Sequence, residues 1–314
     1  MITRGTAANS QTNPLLAGSI EGSFVGRRLN GAILGYGIVD QTGTSAANWN
    51  YVSGVAAFVG PDQDPSLPYR EGRVSDLSGS PSPFIQSYAT TDRPEEVALD
   101  AQNRVTSFTA PYGSAASHAS YSIGSAQVVQ SGFDPETGLV WGRWGGGTAQ
   151  VTVNGQAQQL PLGSSSLHYI FAGTQQGPVS LPLTGSGVYD VIGSTSPTDS
   201  SGHVGTFNTA ALDVNFSTRR LDASVNFGIN GQTWTGSATN VPIYRDQYFS
   251  AYAGTPVAGL PNPGLLVIAC TPNCGTNAAG SIDGFFAGRT GQRAGMIYNF
   301  GGNQGVVAFG RRGG

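Results

Sequence analysis

The side chains able to do chemistry are few: three histidines, two cysteines and eighteen acids, beside fifteen basic residues that are all arginine. Without lysine, phosphate loops ending in Gly-Lys-Ser/Thr, Schiff-base chemistry and lysine-activated serines are excluded. His118, His168 and His203 lie far apart, and none stands at a metal-ligand spacing. His168, within Leu-His-Tyr-Ile-Phe, reads as an outward-facing strand residue. No Gly-x-Ser-x-Gly elbow occurs. Asp213 and Asp222 fall on the solvent sides of adjacent strands and could face each other as a glycosidase-type carboxylate pair. Near Arg219 and Arg220, they read more simply as solvated strand residues. Trp141-x-x-Trp144 with Arg143 could stack a ligand. Strand residues three apart point to opposite faces, however, so the two indoles read as cover for a barrel end. Cys270 and Cys274 flank a Thr-Pro-Asn turn. Either they form a small disulfide stapling a loop tip, which implies an oxidising compartment, or they are a reduced pair without a role. No catalytic residue, metal site or cofactor is assigned, and the chain is expected not to be an enzyme.

The elements that would carry these groups are strands. Of 314 residues, 47 are glycine and 11% are charged, against about 7% and about 25% in ordinary proteins. Glycine at that density costs about 1 kcal/mol at each helical position it enters, so long helices are disfavoured. A hydrophobic fraction of 39% still supports a core. The net charge of −3 with scattered arginines leaves no footprint for nucleic acid. No apolar run is long enough for a transmembrane span, and the start lacks an apolar signal core or a lipid-accepting cysteine. Either the chain is cytoplasmic or it is a processed or excised piece of an exported precursor, and the composition favours the latter.

Leu221, Ala223, Val225, Phe227 and Ile229 alternate with polar residues, as do Leu212, Val214 and Phe216. This is the period of half-buried strands. Asn230-Gly231 supplies a tight hairpin turn. Further strands are predicted at 188–192, 232–235, 248–253, 281–287, 295–300 and 305–309. These eight antiparallel strands close an up-and-down barrel over residues 183–314, with a sandwich as the rival fold. Residues 120–182 read as a β-rich lead-in. Residues 61–119 read as a Pro/Ser-rich loop region with one short helix at 93–102. Residues 1–60 form an N-terminal β segment.

That segment is a repeat. Gly18–Arg27 matches Gly280–Arg289 at seven of ten positions, Tyr36 aligns with Tyr298, and Gly54–Phe58 aligns with Gly305–Phe309. Residues 18–60 therefore copy the last three barrel strands without the strands before them. The strands so orphaned must satisfy their backbones on the chain's own barrel or on a neighbour. Ile20, Phe24, Ile33, Tyr36, Val55 and Phe58 are the candidate assembly residues.

The closing signature comprises Gly280-Ser-Ile-Asp-Gly284-Phe285-Phe286-Ala-Gly288-Arg, then Arg293–Tyr298, then Gly305–Phe309. It resembles the C-terminal β-barrel of transferrin-binding protein B-like surface proteins of Gram-negative bacteria. Phe133–Gly147 and Leu212–Trp234 are also similar to barrels fused to FecR-type domains in exported proteins. The resemblance implies an exported, surface-associated barrel in which signature residues such as Tyr298 and Phe309 are structural. Arg289 replaces the family's proline, and no transferrin-contacting residue carries over. Two functions remain open. One is a structural subunit of an extracellular or surface assembly such as a fibre, self-associating through inter-subunit strand pairing. The other is a monomeric surface module that captures a host or environmental ligand, a protein among the candidates, through loops such as 61–119 and 255–279.

Overall fold

The computed structural model describes residues 3–6, 9–12, 16–25, 31–40, 50–59, 69–76, 97–112, 114–153, 155–163, 166–173, 179–244, 247–253, 264–272 and 279–313. Their regular structure is entirely strand. The chain divides into two compact units, Met1–Asp64 and Pro65–Gly314.

In the first unit β1 (Thr3–Thr6) pairs with β2 (Asn9–Thr12). A separate antiparallel sheet runs β3 (Leu16–Val25), β4 (Gly31–Asp40) and β5 (Asn50–Val59).

The second unit opens with a two-sheet sandwich. One sheet has the order β13 (Gln156–Pro161), β12 (Thr148–Val153), β9 (Ser114–Ser122), β8 (Val105–Tyr112) and β7 (Val97–Leu99). The other has the order β10 (Gln127–Asp134), β11 (Leu139–Gly145), β14 (Ser166–Gly173) and β6 (Tyr69–Asp76). Three of these strands, β6, β7 and β8, lie within the stretch 61–119 expected to be loop, and β9 begins in it. The helix expected at 93–102 is absent from the described part of that segment, which is β7 followed by a turn. The Asp100 carboxylate accepts the N–H groups of Gln102 and Arg104 at 2.9 Å each, and Asn103 takes a φ of 58°. Aspartate and asparagine stabilise turns in this way in competition with helix.

The barrel comprises β15 (Ser186–Ser194), β16 (Thr206–Asn215), β17 (Arg220–Ile229), β18 (Gln232–Tyr244), β19 (Tyr248–Ala253), β20 (Gly264–Thr271), β21 (Gly280–Ala287), β22 (Arg293–Phe300) and β23 (Asn303–Arg311). It closes where β15 meets β23. The eight strands expected from sequence are present, but the closed barrel has nine and is mixed rather than antiparallel throughout. β20 sits between β18 and β19, and Ala251 and Tyr252 pair with Gly264 and Leu265 in parallel. Gly-Leu-Leu-Val-Ile-Ala-Cys-Thr gives no polar alternation, because apolar Leu265 and Val267 occupy the exposed positions on either side of buried Leu266. Hence this strand escaped the period-two criterion.

Alternate side chains fill the barrel: Phe227 stacks on Tyr298 at 5.1 Å and on Phe300 at 5.8 Å. Burying each such ring contributes about 1.5–3 kcal/mol. The signature glycine at 284 is fixed by close approach, since a Cβ there would stand 2.1 Å from the Phe249 ring. At Gly288 the φ of +80° supplies a second reason for glycine.

β21, β22 and β23 are buried on both faces. Their outward residues Phe285, Ile297, Val306 and Ala308 pack against Leu139, Trp141 and Ile170 of the four-stranded sheet. That sheet's other side, with Val140, Trp144 and Tyr169, forms the sandwich core with Val105, Phe108 and Tyr121. The second unit is thus three layers: five-stranded sheet, four-stranded sheet, barrel wall. No helix among the described residues is long and apolar enough to cross a membrane.

Candidate functional site

Polar side chains converge most densely where β11 and β14 meet the barrel. His168 has no solvent exposure, which corrects the outward orientation expected from its strand. Both faces of β14 are covered, so alternation along it carries no inside-outside information. The imidazole Nδ1 lies 2.8 Å from Thr195 Oγ1 and Nε2 lies 2.8 Å from Thr198 Oγ1. Burial, with the nearby Arg143 charge acting in the same direction, holds this imidazole well below its ordinary pKa. Arg143 donates from Nε to Gln130 Oε1 and from Nη1 to Ser166 Oγ, both at 3.0 Å. Gln130 in turn donates to Ser196 Oγ at 3.1 Å and accepts from the Ser196 N–H at 2.9 Å. Gln304 donates to the Ser166 carbonyl at 3.0 Å. Every group named here has a protein partner; Arg143, Ser166, His168, Thr195, Thr198 and Gln304 are buried and Gln130 and Ser196 half-buried, so the cluster fastens sandwich to barrel. A second fastening joins Arg293 to Asp134 and Glu136.

The other sequence candidates are dispersed. His203 is exposed and meets the Asp199 carboxylate of its own turn at 2.7 Å. The side chain of His118 lies outside the described residues, as do those of Ile20, Phe24, Ile33 and Phe58. Tyr36 and Val55 are exposed. Cys270 is disulfide-bonded, and Cys274 lies outside the described residues. Trp141 and Trp144 do point to opposite faces of β11. Trp141 lies against the barrel wall, where a Cβ on Gly193 would stand 2.1 Å from its ring. No cluster of three or more metal-ligating side chains occurs among the described residues.

The accessible part of the barrel is the outer face of β15 to β18 and β20, away from the sandwich. Asp213 and Asp222 are register partners across β16 and β17. They line a shallow groove with Val188, Arg220, Thr239 and Asn240. Asp222 accepts the Asn240 N–H at 2.7 Å, while Arg220 Nη1 donates to the Asn240 carbonyl at 3.0 Å. Farther along, Asn208 donates to Asn226 and Asn226 to Thr235, both at 2.7 Å, in a polar ladder crossing three strands. Register then carries Thr235 to Ala269 and Ser237 to Val267 on β20. Leu265 is 69% exposed and Val267 59% exposed. The face is a nearly neutral lattice of amides and hydroxyls, bordered on β20 by two protruding aliphatic side chains. The apolar edge was missed because β20 read as loop; only the weak cue of β-branched Val267 and Ile268 stood in the sequence.

No protein-family model matches the chain, and no curated protein matches it. Among solved structures it is similar to transferrin-binding protein B from serogroup B Neisseria meningitidis, at 14% identity and a TM-score of 0.35, covering 94% of this chain and 52% of that one. It is also similar to a double mutant of transferrin-binding protein B from Haemophilus parasuis Hp5, at 12% identity and a TM-score of 0.33, covering 94% and 53%. The chain spans about half the length of these structures.

Proposed function

We propose that this chain is a non-catalytic binding module of the bacterial surface, which captures a protein ligand on the outer face of its barrel. The observation that carries the reading is the pair Leu265 and Val267 on β20. Outward positions of a strand with one wet face ordinarily hold polar residues. Two adjacent outward aliphatics at 69% and 59% exposure, bordering a neutral hydrogen-bonded lattice, suit a partner surface that buries them. The sandwich supports the face from behind by covering the opposite side of the barrel, so the display is rigid. The Asp213–Asp222 pair at the far end of the groove favours a partner with a basic rim. The alternative of a strand-paired assembly subunit has the exposed Tyr36 and Val55 in its favour, but nothing at the barrel face calls for it.

The double substitution Leu265→Arg with Val267→Glu tests the proposal. Transferrin is the first probe for the immobilised chain, followed by a panel of other secreted proteins. The variant is expected to bind at least about tenfold more weakly, a loss of about 1.4 kcal/mol, while its thermal midpoint stays that of the unsubstituted chain because both side chains point to solvent. Equal affinity of the two chains for a captured protein would remove the barrel face as the site.

A further inference from the structure

β18 and β19 pair only beside their connection, at Ile243–Phe249 and Tyr244–Tyr248, and then splay apart. β20 fills that splay, antiparallel to β18 and parallel to β19, with Leu266 turned into the barrel core. The hairpin of β15 and β16 also splays, and no strand fills it among the described residues. Ser186–Tyr189 pairs with Leu212–Asn215 at one end. At the other, Thr198 bridges Val204 and the Gly205 N–H donates to the Pro197 carbonyl at 2.8 Å. Between these ends β15 keeps register only with β23, over Asp190–Ser194, and β16 only with β17, over Thr206–Ala211.

The sandwich draws the two strands apart. Gly193 lies under the Trp141 ring, Thr195 Oγ1 meets His168 and the Ser196 hydroxyl meets Gln130, so this part of β15 follows the sandwich and leaves β16. Burial records the opening. Val191 is the register partner of core residue Phe309, yet it is 36% exposed. Phe207 and Ala210 are only partly buried, although their partners Phe227 and Val225 are fully inside. Core-side positions thus reach solvent along a slot whose walls are two strand edges, each carrying backbone groups to be satisfied.

We propose that this slot is a second binding site on the barrel, and that it takes an extended segment of a protein ligand as an added strand. The walls are antiparallel, so the segment runs antiparallel to one and parallel to the other, as β20 does. At about 3.3 Å per residue the wall Asp190–Pro197 is about 26 Å long, and its pinched ends leave room for about four paired residues. Neither Val191–Thr198 nor Gly205–Leu212 contains a charged residue. An ionised side chain entering between them would lose water without gaining a partner. The segment is therefore uncharged, with apolar side chains at alternate positions to meet Val191 and Phe207; main-chain pairing supplies affinity and the alternate side chains selectivity. The slot ends at the pair Val188–Asp213, which also lines the outer groove. The source of the segment, a protein held on that face, rests on the function proposed above; the slot itself does not.

The probe is the end-blocked peptide Thr-Val-Thr-Val-Thr-Val, beside the same peptide N-methylated at its valines, with amide hydrogen exchange followed in the full chain. The unmethylated peptide is expected to slow exchange at least about tenfold at the slot-facing amides of both β15 and β16, and to leave β17 unchanged. Methylation, which removes strand donors without touching the protein, should weaken binding at least about tenfold, and Val191→Asp should do the same by placing a charge in the slot. Leu265→Arg with Val267→Glu should leave peptide affinity as it is, so the slot and the β20 face can fail separately. Unchanged exchange at about 1 mM peptide, or equal affinity for the methylated peptide, overturns the proposal. So do slot amides already protected in the free monomer, because this chain then fills the slot, and protection that appears only in a dimer, because the occupant is then a second copy.

Discussion

Trp144→Ala will cost the folded chain about 3–5 kcal/mol, the range for deleting a large aromatic from a close-packed core. The indole has no solvent exposure and is flanked by Phe108 at 5.4 Å and Tyr169 at 5.9 Å. Its Nε1–H donates to the Val105 carbonyl at 2.9 Å, so alanine also leaves a buried acceptor in the facing sheet without its donor. Because this residue belongs to the sandwich core and not to the barrel core, the loss should be local. Urea unfolding followed by circular dichroism and by near-ultraviolet signals of barrel rings such as Tyr298 should separate into two transitions, with the earlier one assigned to the sandwich. A loss below about 1 kcal/mol would mean that the two sheets do not depend on this ring, and one transition moving as a unit would mean that sandwich and barrel unfold together. The substitution also bears on function: if the sandwich serves to stiffen the barrel, ligand affinity at the β20 face should fall under conditions where the sandwich has unfolded and the barrel has not.

The parts of this fold legible in the sequence are those where one face is wet. β16 and β17 alternate cleanly because Asp213, Asp222 and Asn226 look outward while Leu212, Ala223 and Val225 look inward. The repeat was legible too, since the hairpin register follows from where glycine, isoleucine and tyrosine recur. Three things were hidden. Strands of small residues, such as Ser-Ala-Ala-Ser-His-Ala-Ser-Tyr-Ser in β9, present neither an apolar stripe nor a β-branched bias, so they resemble loop. The face of β20 is apolar on both sides, which erases the period. The surroundings of His168 depend on Thr195 and Thr198, which lie outside any strand and reach it only through tertiary packing. Of the candidate site, the acid pair was visible and its neighbourhood was not. A pattern along one strand reports which face is wet, but not what a third element lays across it.

Acid will weaken the chain by a component that belongs to His168, and the sign follows from which state binds the proton. The buried ring has its pKa well below the ordinary value, whereas an unfolded histidine titrates near 6.5. Above about pH 6.5 both states are neutral and the group's contribution to stability is fully present. Below it the unfolded chain takes up a proton that the folded chain refuses. Stability is then lost at up to about 1.4 kcal/mol per pH unit for as long as the native ring stays neutral. The native ring cannot accept the proton cheaply. Both nitrogens already face threonine hydroxyls at 2.8 Å, Arg143 is charged nearby, and no carboxylate in the cluster of Gln130, Arg143, Ser166, Thr195, Ser196 and Thr198 offers compensation. His168→Gln keeps a donor and an acceptor but cannot titrate. It should be less stable at pH 7, where the fitted ring is lost, and its stability should fall less steeply between pH 6.5 and pH 5. The measurement is the urea midpoint of both chains across that interval. Carboxylates common to both chains cancel in the difference, leaving the histidine. Parallel profiles would show that the native ring protonates as readily as the unfolded one, and the junction between sandwich and barrel would then be open to water.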